Sequence, residues 1–162
     1  MIGAMSDREY QTSVCARLDL AEPVPLKEVS IGEWKPEIAH CHDNVDAWVR
    51  AHPECAAVRG WAINASYGDN NFELTAHSVV RGSDGMLFDI TPFANESQRA
   101  SARFVAHIGD DQAFFEIKAR GHSFSCPPDL MDDVSVADWY PSDDDDTNPD
   151  SDNLCDLPLY DP

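Results

Sequence analysis

Lysine and arginine are scarce: this 162-residue chain has 11 of them against 30 aspartates and glutamates, for a formal net charge of -19. That scarcity disfavours nucleic-acid binding, which draws on Lys and Arg for phosphate contacts and counterion release. Anionic membrane surfaces are disfavoured on the same ground. No run approaches the roughly 20 consecutive apolar residues needed to cross a bilayer. The opening MIGAMSDREYQ also lacks the apolar stretch of a secretory signal. These absences predict a cytoplasmic protein. Neither CxxC nor HExxH occurs, and no repeat recurs at a period of about 20–50 residues. The five cysteines, Cys15, Cys41, Cys55, Cys126 and Cys155, are odd in number and widely scattered. They form a poor disulfide framework and predict at least one free thiol.

A hydrophobic fraction of 43% is ordinary for a folded domain. The acidity is concentrated instead in residues 127–162, which hold twelve aspartates and no Lys, Arg or Glu. Such a segment cannot bury enough apolar surface to offset its ordering entropy. We expect an acidic, largely disordered tail over 127–162, with disorder from Ser142, where Leu154, Leu157, Leu159 and Tyr160 form a candidate motif for docking a basic partner. Residues 1–36 carry Pro23, Pro25 and Pro36 and read as an extended arm with one short strand.

Between them, residues 37–126 read as the functional domain. Val45, Trp48 and Val49 share one helical face, Asp43 and Asp46 lie in the first turns and Pro53 ends the run, which predicts a helix from Cys41 or His42 to His52. Strands are predicted at 56–66, 72–82, 86–93, 103–109 and 112–120, where aromatic and β-branched residues alternate with turn sequences such as GSDG and GDD. Short connectors favour antiparallel neighbours. The predicted fold class is α+β, with a helix packed on an antiparallel sheet.

Cys41 falls at the start of the predicted helix, where free backbone N–H groups and the positive end of the dipole stabilise a thiolate. A small buried cysteine at that place is the simpler alternative. The segment Gly82-Ser83-Asp84-Gly85-Met86 suits a three-residue hairpin loop with Gly85 in the left-handed conformation, pairing Gly82 with Met86. That register sets Val79 opposite Asp89 and His77 opposite Thr91, which makes His77 and Asp89 diagonal neighbours on one face. A slip of one residue would separate them. An aspartate between Phe88 and Ile90 calls for a partner, either His77 or a backbone turn near Thr91-Pro92. A carboxylate that orients an imidazole, beside a thiol, is the arrangement of nucleophilic catalysis.

The order of a helix-start Cys, a strand His and an Asp on the next strand, with VRGW on the strand between and AHSVVRGSDGMLFDITP around the pair, resembles the transglutaminase-like branch of the papain-like cysteine enzymes. The resemblance covers about 55 residues from Cys41 to Pro92, and departs from the family pattern at Val79 and in the HCHDNV stretch around the cysteine. It implies a papain-like core and acyl transfer through a thioester on an amide or peptide substrate, with no cofactor: proteolysis, amide hydrolysis, glutamine deamidation or cross-linking. It further implies Cys41 as nucleophile, His77 as base, Asp89 as orienting group, and an oxyanion donor beyond the Cys41 N–H, for which Trp34 is the candidate. Asn44 and Trp61 are candidates to line the cleft, although core packing is the ordinary use of a Trp at 61.

Two other readings start from different features. His40, Cys41 and His42, with His77 and His107, form a candidate metal set. Adjacent residues on an extended segment point apart, however, so at most two of the trio would share an ion. The tail suggests a non-enzymatic acidic inhibitor that occupies a basic groove; removing residues 142–162 separates that from an enzyme, which should keep its activity.

Overall fold

The computed structural model describes residues 5–66, 71–94 and 102–128. The expected disordered tail and its apolar docking motif lie outside the described residues. The described elements run α1 (Asp7–Cys15), a 3-10 turn (Leu18–Leu20), β1 (Glu22–Pro23), α2 (Cys41–Ala51), β2 (Ala56–Ser66), β3 (Phe72–Arg81), β4 (Leu87–Phe88), β5 (Arg103–Ala106), α3 (Asp111–Arg120) and β6 (Ser123–Cys126). The fold is α+β: an antiparallel sheet of six strands with three helices.

The sheet runs β1-β5-β2-β3-β4, and β6 also pairs with β3. Val80 faces Phe88 and Arg81 faces Leu87 across β3 and β4. Gly82 N donates to Met86 O at 2.9 Å, and Gly85 has φ +81°. The three-residue loop and its register are therefore those expected from the sequence. Both β4 and β6 pair with the edge of β3 that faces away from β2: β6 covers Phe72–Thr75 and β4 covers Val80–Arg81. Over 77–79 that edge carries no described strand, and this gap is where the tip of α2 arrives.

Side-chain alternation divides the sheet into two faces. Trp61, Leu74, Ala76 and Val105 pack with Tyr10 and Val14 of α1, Phe114 of α3 and Phe124 of β6. On the same face Val80, Phe88 and Ile90 receive Val45 of α2. The opposite face holds Val79, Leu87 and Phe104, covered by Val24. His77 belongs to this second face, opposite Gly60. A Cβ at Gly60 would lie 2.2 Å from Val105 O and 2.6 Å from the Phe104 ring. Glycine is thus needed there for Phe104 to lie over the sheet beside His77, their ring centroids 6.5 Å apart.

Three sequence expectations need correction. Residues 112–120 form a helix, because Asp110 caps it by accepting from Ala113 N at 2.8 Å and Phe114 and Ile117 share a side at helical spacing. The aromatic content of QAFFEIKAR mimics a strand when that cap is overlooked. The supposed extended arm contains α1, started by a capping box between Ser6 and Glu9 and docked through Tyr10 and Val14, both buried. Finally, Cys15 and Cys126 form a disulfide across 111 positions, tying α1 to β6. The two partners meet only because α1 packs beside β6, a pairing that spacing in the chain does not reveal.

Candidate active site

Cys41 is the first residue of α2, whose opening N–H groups have no intrahelical acceptor, and His40 before it provides no side-chain cap. The helix terminus therefore offers its positive end to the sulfur, with Asp43 as the acidic residue of the first turn. Asn44, buried and one turn further on, clamps the approach to the helix. Its Oδ1 accepts from Glu37 N at 3.0 Å, and its Nδ2 donates to Glu37 O at 2.8 Å and to Thr91 Oγ1 at 3.1 Å. Between Glu37 and Cys41, Ala39 has φ +66°, a left-handed conformation that costs a non-glycine residue about 1–2 kcal/mol. The Asn44 clamp helps to hold that turn. Asn44 thus positions the turn before Cys41, and its amide is fully engaged with the protein.

His77 reaches the sulfur from β3. Its Nε2 lies 2.6 Å from Asp89 Oδ2, so Nδ1 is the nitrogen left for Cys41. Asp89 is 3% exposed and is fixed at both ends: its Oδ1 accepts from Thr91 N at 2.8 Å, and its own N–H and C=O pair with Pro25 and Lys27. Both partners named as alternatives for Asp89 are therefore real, one for each oxygen. The N-terminal arm contributes directly by pairing with the Asp89 backbone. Thr91 then joins Asp89 to Asn44, so the carboxylate and the turn before Cys41 are parts of one network.

The electrostatics follow from these contacts. Burial would push the Cys41 thiol up, but hydrogen bonds from His42 and His77, followed by the charge of the His77 ring, outweigh it and bring the thiol down to about 5. For His77, burial favours the neutral ring, while hydrogen bonds to Asp89 and Cys41 and their negative charges raise it to about 10. The two directions together favour a thiolate–imidazolium pair near neutrality. Cys41 is 9% exposed, and the His77 side chain is 16% exposed.

Cys41, His77 and Asp89 thus converge, and Asn44 joins them in a positioning role. Trp61 does not line a cleft: it is fully buried, donates Nε1–H to Tyr10 Oη at 2.8 Å and packs against Phe114 and Phe124. Trp34 sits in a turn closed by reciprocal backbone hydrogen bonds with Ile31 at 3.0 Å, and no described contact brings it to Cys41. Of the candidate metal set, His107 Nδ1 is engaged by Tyr10 Oη at 2.7 Å, and exposed His40 lies 3.6 Å from Asp43 and 4.0 Å from Glu37. Among the described residues no group of three or more His, Cys, Asp or Glu side chains is arranged to hold a metal ion. Cys55 is the other free thiol in the described part and lies apart from this network, against the α2 core.

Ser78 and Arg59, which adjoin this site, escaped the sequence reading, and His42 entered it only as a candidate metal ligand. His42 meets both Cys41 and Ser78, and Arg59 meets Ser78. An arginine inside the apolar run AAVRGWAINA was the available signal, since a cation there needs several partners. No helix among the described residues is long and apolar enough to cross a membrane. Comparison with known protein families, characterised proteins and solved structures finds no match, so the chemistry of this site rests on its own geometry.

Proposed function

We propose that the chain is a cysteine-dependent hydrolase or acyltransferase of the transglutaminase-like, papain-like type, acting on an amide or peptide bond through a thioester. The observation that carries the reading is the convergence of sulfur, imidazole and carboxylate at a helix N-terminus. The Cys41 thiolate attacks the carbonyl carbon, forming an S–C bond while the carbonyl oxygen takes the charge and the Cys41 N–H stabilises it. The His77 imidazolium gives its proton to the departing nitrogen as the C–N bond breaks. Neutral His77 next deprotonates water or an acceptor amine, whose attack breaks the S–C bond and restores the thiolate. Asp89 holds the ring orientation throughout and balances the imidazolium charge. No step draws on a cofactor.

Labelling with an electrophilic peptide-amide probe tests the reading. Cys41→Ala should abolish labelling in a folded protein, whereas labelling that tracks Cys55 would end it. We further propose a cytoplasmic setting, which suits a thiolate enzyme; the Cys15–Cys126 bridge is the feature that opposes it, because disulfides persist in oxidising compartments. Trapping thiols by alkylation in living cells decides the matter: a bridge found closed there removes the cytoplasmic placement.

A further inference from the structure

The catalytic sulfur touches two imidazoles, and only one of them belongs to the triad. His42, next to Cys41 on α2, is the second ring that hydrogen-bonds the sulfur. Its ring is clamped. Nδ1 lies 2.6 Å from Ser78 Oγ, and the edges of Phe114 and Phe115 bracket the ring at centroid distances of 5.8 and 5.4 Å. Ser78 is fully buried and also receives Arg59 Nη1 at 2.8 Å. Arg59, 6% exposed, is fixed in turn by Asp46 of α2 and by Asp111 of α3, 3.1 Å from Nε.

The protons in this chain can be assigned from donor capacity alone. A guanidinium only donates, so the Ser78 oxygen accepts from Arg59 and its own hydroxyl proton is directed at His42 Nδ1. Nδ1 must then present its lone pair, and the ring proton resides on Nε2. Protonating Nδ1 would take from the buried Ser78 hydroxyl proton its described acceptor, and would add a cation to a network that already holds the Arg59 guanidinium and the His77 imidazolium. Asp46 and Asp111 already serve Arg59, and Asp89 serves His77, so none of these carboxylates is left to offset such a charge.

We propose that His42 is a second catalytic group: a neutral imidazole whose Nε2–H donates to the Cys41 sulfur, held in that tautomer by Ser78 and the Arg59 network. It gives the thiolate a hydrogen bond without competing for the proton that His77 delivers to the leaving group. The two rings therefore divide the work, His77 transferring protons and His42 holding charge. This inference rests on the thioester reading above and refines it.

The test is the rate of Cys41 alkylation by iodoacetamide, a neutral reagent, read by mass spectrometry on the full chain from pH 4 to pH 9. The wild type should already react fast at pH 6. His42→Phe keeps an aromatic ring between Phe114 and Phe115 and removes the donor; its alkylation midpoint should rise by about one pH unit, roughly ninefold slower labelling at pH 4 and about twofold at pH 6. His42→Gln, which retains an N–H donor, should recover part of that loss. Ser78→Ala acts by positioning: it should shift the midpoint in the same direction and release the His42 tautomer, seen in long-range 15N correlation spectra. An unchanged midpoint in folded His42→Phe, or a wild-type His42 carrying its proton on Nδ1, overturns the second-histidine role and leaves the triad standing. A wild-type Cys41 that is inert until above pH 8 overturns both. Should His42→Phe fail to fold, the tautomer spectrum of the wild type and the His42→Gln midpoint decide.

Discussion

His77 and Asp89 sit diagonally across the β3–β4 hairpin, with Nε2 and Oδ2 2.6 Å apart, and the second carboxylate oxygen is occupied by Thr91 N. The pairing assigns each nitrogen of the ring: the Asp89 side carries a proton, and the other side faces sulfur.

Asp89→Asn should therefore inactivate without unfolding. The amide oxygen can keep the Thr91 N–H, which turns the amide NH2 toward His77 and forces Nε2 to accept. The ring proton then moves to the sulfur side, where a base is needed. A loss of roughly 10²–10⁴-fold in turnover is expected, by analogy with the wrong-tautomer effect in serine proteases. Steady-state kinetics beside an unchanged near-UV spectrum check this, and full activity would remove Asp89 from the mechanism.

The pH profile should be a broad bell. With the thiol lowered to about 5, activity rises as the thiolate forms on the acid side; with His77 raised to about 10, it falls as the imidazolium loses the proton owed to the leaving group. The same pair shapes stability. The lowered thiol contributes fully above the ordinary thiol range, and this is lost as pH falls toward about 5. The raised His77 contributes fully below its ordinary 6.5, and this is lost as pH rises toward about 10. A rate profile with a single rise near pH 8.5 would contradict the pair.

Gly60→Ala should damage the site through packing. The new methyl would meet the Val105 carbonyl and the Phe104 ring, which stands beside His77. A destabilisation of about 1–3 kcal/mol is expected from overpacking, with a further loss of activity as Phe104 is displaced. Chemical denaturation measures the first effect; a stability equal to wild type would show that the strands separate without strain.

Arg59→Lys preserves charge but cannot reach Ser78, Asp46 and Asp111 together from one ammonium. Because the two carboxylates are half-exposed, the cost should be modest, roughly 1–2 kcal/mol. Denaturant midpoints read it, and a neutral substitution would mean that water replaces the missing contacts.

Reducing the Cys15–Cys126 bridge frees a loop of 111 positions and should lower stability by about 2–5 kcal/mol. Melting with and without reductant, with Cys15→Ser as control, gives the value. Cys41 should remain reactive in the reduced chain, since the bridge joins α1 to β6 and not the residues of the triad.

The helix start at Cys41 and the pairing of His77 with Asp89 were legible in the sequence because both are locally determined. The α2 helix starts at Cys41 as its periodicity indicates, and the loop around Gly85 sets the hairpin register that makes His77 and Asp89 diagonal neighbours. Local signals were also present where the reading failed: Ser6 with Glu9 at α1, and Asp110 at α3, are caps, outweighed by prolines in one case and aromatics in the other. What the chain alone could not reveal is which distant elements become neighbours. The gap on the edge of β3, the arrival of α2 there, the meeting of Cys15 with Cys126 and the linkage of His42 through Ser78 to Arg59 depend on how helices and strands stack. Hairpin register and helix phase are set by nearest neighbours within a few residues, whereas these contacts join segments far apart in the chain, whose pairing is decided only by burial and polar satisfaction across the whole domain.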